Sequence, residues 1–162
     1  MKDRMPNNIR WNHVKPPFLG DDAMTVVIDL ARYGLEEQEE EIWVEGDSGS
    51  TVVSSIPFCI DGLALFDRIE LNPDAGVLSI LGRSGRGVFR VLVDQRIDTG
   101  EKWKLASRLS DFFIGSELAH EWNGEGFVSV DIPSLGAASE VQNGILDFKN
   151  VYWEWGVACE NP

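Results

Sequence analysis

The chain has 162 residues, of which 43% are hydrophobic and 25% charged, and its formal net charge at pH 7 is −13. This composition excludes a disordered acidic tail and a fibrous repeat, and the length suffices for a packed core without disulfide or metal cross-links. No apolar run reaches the roughly 18 residues of a membrane span, and the polar N-terminus lacks the apolar centre of a signal peptide. We therefore expect a protein of the bacterial cytoplasm that does not bind membranes.

The first half of the chain predicts short strands joined by turns. Residues 1–23, which include Pro6 and the Pro16-Pro17 pair, predict an irregular lead-in. Apolar and β-branched runs then predict strands at 24–30, 42–44, 51–58, 67–71 and 77–81. Polar segments predict turns or loops at Glu36–Glu41, 46–50, 72–76 and 83–87. This spacing predicts a small antiparallel sheet or barrel over residues 24–82.

The second half predicts two helices among four strands. After a strand at 88–93, Leu105, Leu109 and Phe113 follow a helical spacing that Gly115 can end. The segment 117–132 predicts a hairpin around Asn123-Gly124, although the first helix could instead continue to Trp122.

A second helix follows Ser134, and the alternating run 151–158 predicts a closing strand. The order is strand, helix, strand, strand, helix, strand, which predicts a ferredoxin-like unit over residues 83–162. Since no linker separates the halves, we expect an α+β fold in which both form one packed unit.

Acidic charge is concentrated in two parts of the chain. Residues 36–82 carry a formal net charge of −10 and residues 109–162 carry −8, whereas residues 83–108 carry +4. Such a field repels nucleic acid and attracts a cationic protein. Acidity also keeps a domain soluble, and composition alone does not discriminate between the two explanations.

No catalytic or metal-binding set can be assembled from residue spacing. The histidines are His13 in the lead-in and His120 between polar neighbours, and zinc needs three or four donors. Cys59 has apolar flanks typical of a buried thiol. The glycine-rich segment 83–87 could hold a phosphate, but no helix follows it and a hairpin turn is the better interpretation. We expect no catalytic residue, metal or cofactor.

Tryptophans at 153 and 155 share one face of the closing strand. Exposed, they would be anchors for a partner, since Trp dominates binding hot spots. Buried, they would form the seam between the two halves, which is the interpretation that we favour.

The segment from Val53 to Ile69, which contains Ile56-Pro57-Phe58, Gly62 and Asp67, resembles the signature of a small bacterial family called domain of unknown function 4265. The similarity extends to blocks at 42–44, 83–85, 89–91 and 128–133, although this chain has Phe66-Asp67 where members typically carry Gly-Asp. The resemblance implies a compact cytosolic bacterial protein without an assigned reaction.

The leading hypothesis is a non-enzymatic acidic binding protein, in its specific form an immunity-type inhibitor of a basic, nuclease-like toxin. The residues expected to contact the partner are acidic: Glu36, Glu37, Glu39, Glu40, Glu41, Glu45 and Asp47.

The alternative is an enzyme of unknown reaction whose site folding would assemble from distant residues. The candidates for that site are Asp61, Asp67, Arg83, Arg86 and His120. Nucleic-acid binding through the basic stretch 83–108 is the least favoured hypothesis, because the aromatic consensus of an RNA-recognition sheet is absent.

Overall fold

The computed structural model describes residues 9–47, 50–72 and 77–160, and these residues form two β-sheets and two α-helices. The first half contains six strands: β1 (Ile9–Asn12), β2 (Met24–Asp29), β3 (Gln38–Asp47), β4 (Ser50–Val53), β5 (Arg68–Asn72) and β6 (Val77–Gly82). The second half contains β7 (Gly87–Val93), α1 (Thr99–Gly115), β8 (His120–Asn123), β9 (Phe127–Ile132), α2 (Leu135–Ile145) and β10 (Val151–Val157). Neither described helix is long and apolar enough to cross a membrane.

The first sheet is organised around β3, its longest strand. β2 pairs antiparallel with one edge of β3, and β1 pairs parallel with the other edge. β4 pairs antiparallel with the C-terminal part of β3. β5 then pairs antiparallel with β4, and β6 with β5. Over residues 24–82 the described strands form an antiparallel sheet, as predicted, and the alternative of a barrel is wrong because this sheet is open. The parallel strand β1 lies outside that range.

The second sheet has the strand order β10-β7-β9-β8 and is antiparallel throughout. The predicted order of strands and helices over residues 88–157 is confirmed, as is the hairpin between β8 and β9. Both helices pack on one face of this sheet, where Phe89, Leu109 and Val141 belong to one buried apolar cluster. Ser134 caps α2 by accepting from the backbone N–H of Ala137, as predicted.

The alternative in which the first helix continues to Trp122 is wrong. α1 ends at Gly115, and Glu117 takes a left-handed conformation with φ of 56°. The N–H of Leu118 then donates to the carbonyl oxygen of Phe113, which is the closing bond of a Schellman-type helix end. The chain is therefore turned away from the helix before β8 begins.

Three further local predictions for the first half are wrong. The lead-in contains a strand, β1, because its backbone finds a partner in β3. β3 begins at Gln38, so the charged turn expected up to Glu41 is strand from residue 38 onward. Segment 83–87 connects two different sheets and is not a hairpin turn. Parts of the predicted turns at 46–50 and 72–76 lie outside the described residues.

The halves meet at the face of the second sheet that the helices leave free. Val88 packs there against Ile56 and Ala64, and Ser129 donates a hydrogen bond from Oγ to the carbonyl oxygen of Pro57 at 2.9 Å. The two tryptophans at 153 and 155 instead contact Phe89 on the helix side. The seam predicted for them is therefore wrong, since the strand alternation turns them away from the first half.

Candidate functional site

A buried histidine joins three separate parts of the chain. His13 follows β1, and its Nε2 lies 2.8 Å from Oε1 of Glu40 on β3. Its Nδ1 lies 2.9 Å from Oε2 of Glu121 on β8, in an ion pair that is poorly aligned as a hydrogen bond. The ring stacks on Phe58 with the centroids 4.1 Å apart. His13 therefore ties the lead-in to both sheets.

Glu40 is fully buried because of the alternation of β3. It shares the inward face of the strand with Ile42 and Val44, and its exposed fraction is 0%. Its carboxylate accepts from the backbone N–H groups of Phe58 at 2.6 Å and Cys59 at 2.8 Å. A buried carboxylate must be paired or hydrogen-bonded, and His13 with these two amides meets that need.

The charge state of His13 follows from its two carboxylate neighbours. Burial by itself lowers the pKa of His13, but the contacts with Glu121 and Glu40 outweigh burial and raise the pKa to about 9. His13 is therefore a cation at neutral pH. In this state the imidazolium is the counter-ion of two carboxylates, one on each sheet.

A mostly apolar cavity of about 490 Å³ lies beside this cluster. Residues 14–18 of the lead-in form one wall, and Leu118 to Glu121 form another. Ile56 and Leu65 contribute apolar side chains from the first half. Glu121 also accepts from the backbone N–H of Val14 at 3.1 Å, which holds the lead-in against β8. The cavity has the size of a small-molecule site.

A second pocket, of about 200 Å³, is formed by residues of β7, β9 and β10, and we call it the Arg90 pocket. It is lined by Arg90, Leu92, Phe127, Tyr152, Trp153 and Glu154. Nη1 of Arg90 donates to Asp61 Oδ1 at 2.6 Å and to Glu154 Oε1 at 3.2 Å. The guanidinium is therefore held between two carboxylates, one from each half of the molecule.

One of the acidic residues expected to contact a partner is buried, and two others already form ion pairs within the chain. Glu39 and Glu41 pair with Arg10 on β1, and Glu40 is directed into the core. Period-two alternation of β3 separates these neighbours, a consequence that the turn interpretation did not include.

The other members of that set lie nearer the solvent. Glu36, Glu37 and Asp47 are exposed, and Glu45 is half-buried, with Oε1 3.4 Å from the N–H of Gly20. For these four the contact role stays a prediction.

The residues of the enzyme hypothesis do not converge in one cleft. Asp61 is bound to Arg90, and Arg86 forms a bidentate ion pair with Asp131 on β9. His120 lies apart from them, at the cavity wall.

Asp67 is buried and accepts from two backbone N–H groups, those of Ala64 at 3.0 Å and Ser84 at 2.7 Å. Arg83 donates to the carbonyl oxygen of Gly62 and lies 3.8 Å from Asp67. These contacts fix the turn before β5 and the connection between the sheets, so their role here is structural.

Cys59 is half-buried and lacks the features of a nucleophile. Burial is the main cause that raises the pKa of its thiol to about 12, and the charge of Glu40 adds to it. Among the described residues, no group of three or more His, Cys, Asp or Glu side chains is placed to hold a metal ion.

Sequence reasoning missed the roles of His13, Arg90 and Glu121. The one available signal was Glu40, which stands two and four residues before Ile42 and Val44 and so shares their face of a strand. The partners of its carboxylate are His13, 27 residues away, and the backbone N–H groups of Phe58 and Cys59, 18 and 19 residues away, separations that no local pattern spans.

Comparison with known proteins gives a family and a fold. The family model described as "Domain of unknown function (DUF4265)" matches residues 40–155, a range that includes Glu40, Arg90 and Glu121 but not His13. No curated protein matches the chain.

A solved structure, described as "Novel crystal structure of a hypothetical protein from Neisseria gonorrhoeae", is similar with a TM-score of 0.56 and 17% identity. The alignment covers 88% of this chain and 99% of that one. At this identity the similarity shows the fold alone.

Proposed function

The chain belongs to the family described as domain of unknown function 4265, and within that family we propose that it is a non-enzymatic acidic binding protein for a cationic protein. In its specific form this is an immunity-type inhibitor of a basic, nuclease-like toxin. We also propose a ferredoxin-like second half, which the strand order β10-β7-β9-β8 and the two helices on one face support, and a place in a bacterial cytoplasm.

The observation that supports the proposal is the excess of acidic over basic residues on the solvent-exposed surface. Among the described residues, sixteen Asp and Glu residues are exposed, against eight Lys and Arg residues. A surface field of this sign accelerates association with a cationic protein and repels nucleic acid.

The ionisable groups in the interior support a binding role over a catalytic one. His13 and Glu40 neutralise each other, and Asp131 is neutralised by Arg86. Groups satisfied in this way hold elements together, whereas a general acid or base needs a free proton site in a cleft.

The basic stretch 83–108 supports a protein partner over a nucleic acid. Arg86 is paired with Asp131, Arg90 is buried between two carboxylates, and Arg96 forms an ion pair with Asp94. A nucleic-acid site needs cations free to neutralise phosphates, and these three are already neutralised.

The test uses purified basic nuclease domains, including those encoded beside this gene. We expect one of them to form a one-to-one complex and to lose nuclease activity. The association rate constant should fall at least tenfold, as an order of magnitude, between about 50 and 500 mM NaCl because salt screens exposed charges. Failure of every nuclease to bind, or an association rate indifferent to salt, would contradict the proposal.

Variants at the exposed turn sharpen this test. Neutralising two exposed carboxylates by Glu36→Gln and Glu37→Gln should slow association at low salt. The matched control neutralises Asp111 and Glu140, which are exposed on the two helices. Equal slowing in both double variants would indicate that only total charge matters.

A second candidate function, binding of a small apolar molecule, is favoured by the 490 Å³ cavity. An environment-sensitive dye, anilinonaphthalene sulfonate, should bind with enhanced fluorescence. Ala119→Trp would fill the cavity and abolish the enhancement, whereas Ala31→Trp, at an exposed position, should not. Unchanged fluorescence in Ala119→Trp would exclude this cavity as the dye site.

A further inference from the structure

The lead-in wall of the 490 Å³ cavity is held in place within the fold. Pro16 and Pro17 lie in this wall, and the proline ring fixes one backbone angle of each. Before them, the carbonyl oxygen of His13 accepts from Nε1 of Trp43 at 3.2 Å, and after them Leu19 is buried. A cavity whose wall is already ordered binds a ligand without the entropic cost of ordering a loop.

Apolar side chains line most of this cavity and continue onto its rim. Ile56 and Leu65 line it as buried residues, whereas Val14 and Phe18 also line it but are 80% and 62% exposed. A ligand that enters the cavity covers these side chains, and the removal of apolar surface from water favours binding. The lining therefore selects a ligand that is largely hydrocarbon.

Two hydrogen-bond donors that line the cavity lie beside Trp43. Ser54 is 1% exposed, and its Oγ lies 3.5 Å from the carbonyl oxygen of Val52, a distance longer than an ordinary hydroxyl hydrogen bond. The backbone N–H of Ser54 donates to the carbonyl oxygen of Trp43 at 2.8 Å. Nζ of Lys15 lies 5.5 Å from the centroid of the Trp43 ring. A buried hydroxyl and an ammonium group are thus neighbours of the same residue.

The charge of the lining favours an anion. Lys15 forms no ion pair with any carboxylate that the structure describes, whereas Glu121, the acidic residue of the lining, is paired with His13. A carboxylate that accepts from Lys15 and Ser54 forms charge-assisted hydrogen bonds with both donors. An ammonium head group would instead meet Lys15 as a like charge.

We propose that this cavity binds an aliphatic carboxylate of the fatty-acid class, an inference that rests on the second candidate function. The carboxylate accepts hydrogen bonds from Nζ of Lys15 and Oγ of Ser54, and the hydrocarbon chain packs against Ile56, Leu65 and Leu118. The apolar lining provides the affinity, and the two donors provide the selectivity for the head group.

The first test varies the ligand and uses hexanoate, octanoate and decanoate below their micelle concentrations. Isothermal titration calorimetry should give a dissociation constant for octanoate in the millimolar range or below. Affinity should rise about fourfold with each added methylene, because the cavity removes each one from water. Octan-1-ol, which lacks the charge, should bind at least about threefold more weakly than octanoate, and octylammonium at least about tenfold more weakly.

The second test varies the protein. Lys15→Gln and Ser54→Ala should each weaken octanoate binding at least about threefold and leave octan-1-ol binding unchanged, so the alcohol also reports that each variant is folded. The matched control, Lys104→Gln, removes an exposed positive charge on α1 and should leave both ligands unchanged. Ala119→Trp, at an exposed position of the lining, should abolish the binding of both.

The outcomes separate this inference from the function on which it rests. Equal affinities for the three head groups, or octanoate binding that neither Lys15→Gln nor Ser54→Ala weakens, would overturn the inference. If anilinonaphthalene sulfonate binds in this cavity and octanoate does not displace it, the second candidate function stands and the inference fails. If neither ligand binds, both fail.

Discussion

The buried cation at His13 predicts a specific dependence of stability on pH. The pKa of His13 is about 9 in the folded protein, compared with 6.5 for the ordinary imidazole of the unfolded chain. Because the folded pKa is the higher one, protonation stabilises the fold fully below pH 6.5, and that stabilisation is lost as the pH rises through 9. A difference of 2.5 between these values corresponds to about 3 kcal/mol.

Urea unfolding at a series of pH values measures this effect. The free energy of unfolding of the wild-type protein should fall by about 3 kcal/mol between about pH 6 and pH 9. His13→Gln leaves Glu40 and Glu121 without their cation, so it should cost about 3–5 kcal/mol near pH 6, and the fall with pH should disappear.

The matched control is His120→Gln, which replaces the other histidine of the chain. His120 is half-buried, and its Nδ1 lies 3.1 Å from the carbonyl oxygen of Leu118. In this variant the free energy of unfolding should still fall between about pH 6 and pH 9, as in the wild-type protein. A wild-type unfolding free energy that is flat over this range, or a fall that survives in His13→Gln, would refute the reasoning.

Three further predictions concern other buried groups. Burial raises the pKa of the Cys59 thiol to about 12 from 9.0, so this thiol should react with a disulfide reagent at pH 8 at least about tenfold more slowly in the folded protein than in urea, as peptide mass mapping would show; equal rates would contradict the burial argument. Gly156→Ala should lower the unfolding free energy by about 1–3 kcal/mol because its Cβ would collide with Arg90, whereas Gly136→Ala, on the exposed first turn of α2, should change it by less than about 0.5 kcal/mol; equal effects would exclude the collision. Asp67→Asn leaves one buried backbone N–H group without its acceptor and should cost about 1–3 kcal/mol in urea unfolding, and a neutral result would show that its two hydrogen bonds contribute little.

Local patterns predicted the elements of the second half because their causes are local. Leu105, Leu109 and Phe113 are spaced so that they share one face of a helix, and this pattern is contained within α1 itself. Ser134, which caps α2, likewise lies next to the helix that it caps. The hairpin between β8 and β9 has a local cause as well, since Asn123 pairs with Phe127 and Gly124 supplies a positive φ of 63° in the three-residue loop between them.

The first half was less predictable because its strands depend on distant partners. β1 exists through parallel pairing with a strand about 29 residues later, and no pattern within Ile9–Asn12 indicates it. The same pairing supplies Arg10 to Glu39 and Glu41, which makes an acidic segment compatible with a strand. The acidic run Glu36–Glu41 by itself is typical of a solvated turn, because the cation that neutralises part of it, Arg10, lies in a distant part of the chain.

The sequence by itself determined the family resemblance, the α+β class and the negative charge of the molecule, because these depend on composition, on period and on short contiguous blocks. Only the tertiary structure decided which carboxylates face solvent and which are buried beside a cation. The physical reason is that a buried charge is stable only when a counter-charge arrives beside it. For Glu40 and Arg90 those counter-charges, His13 and Glu154, are brought in by the packing of the lead-in and of the last strand.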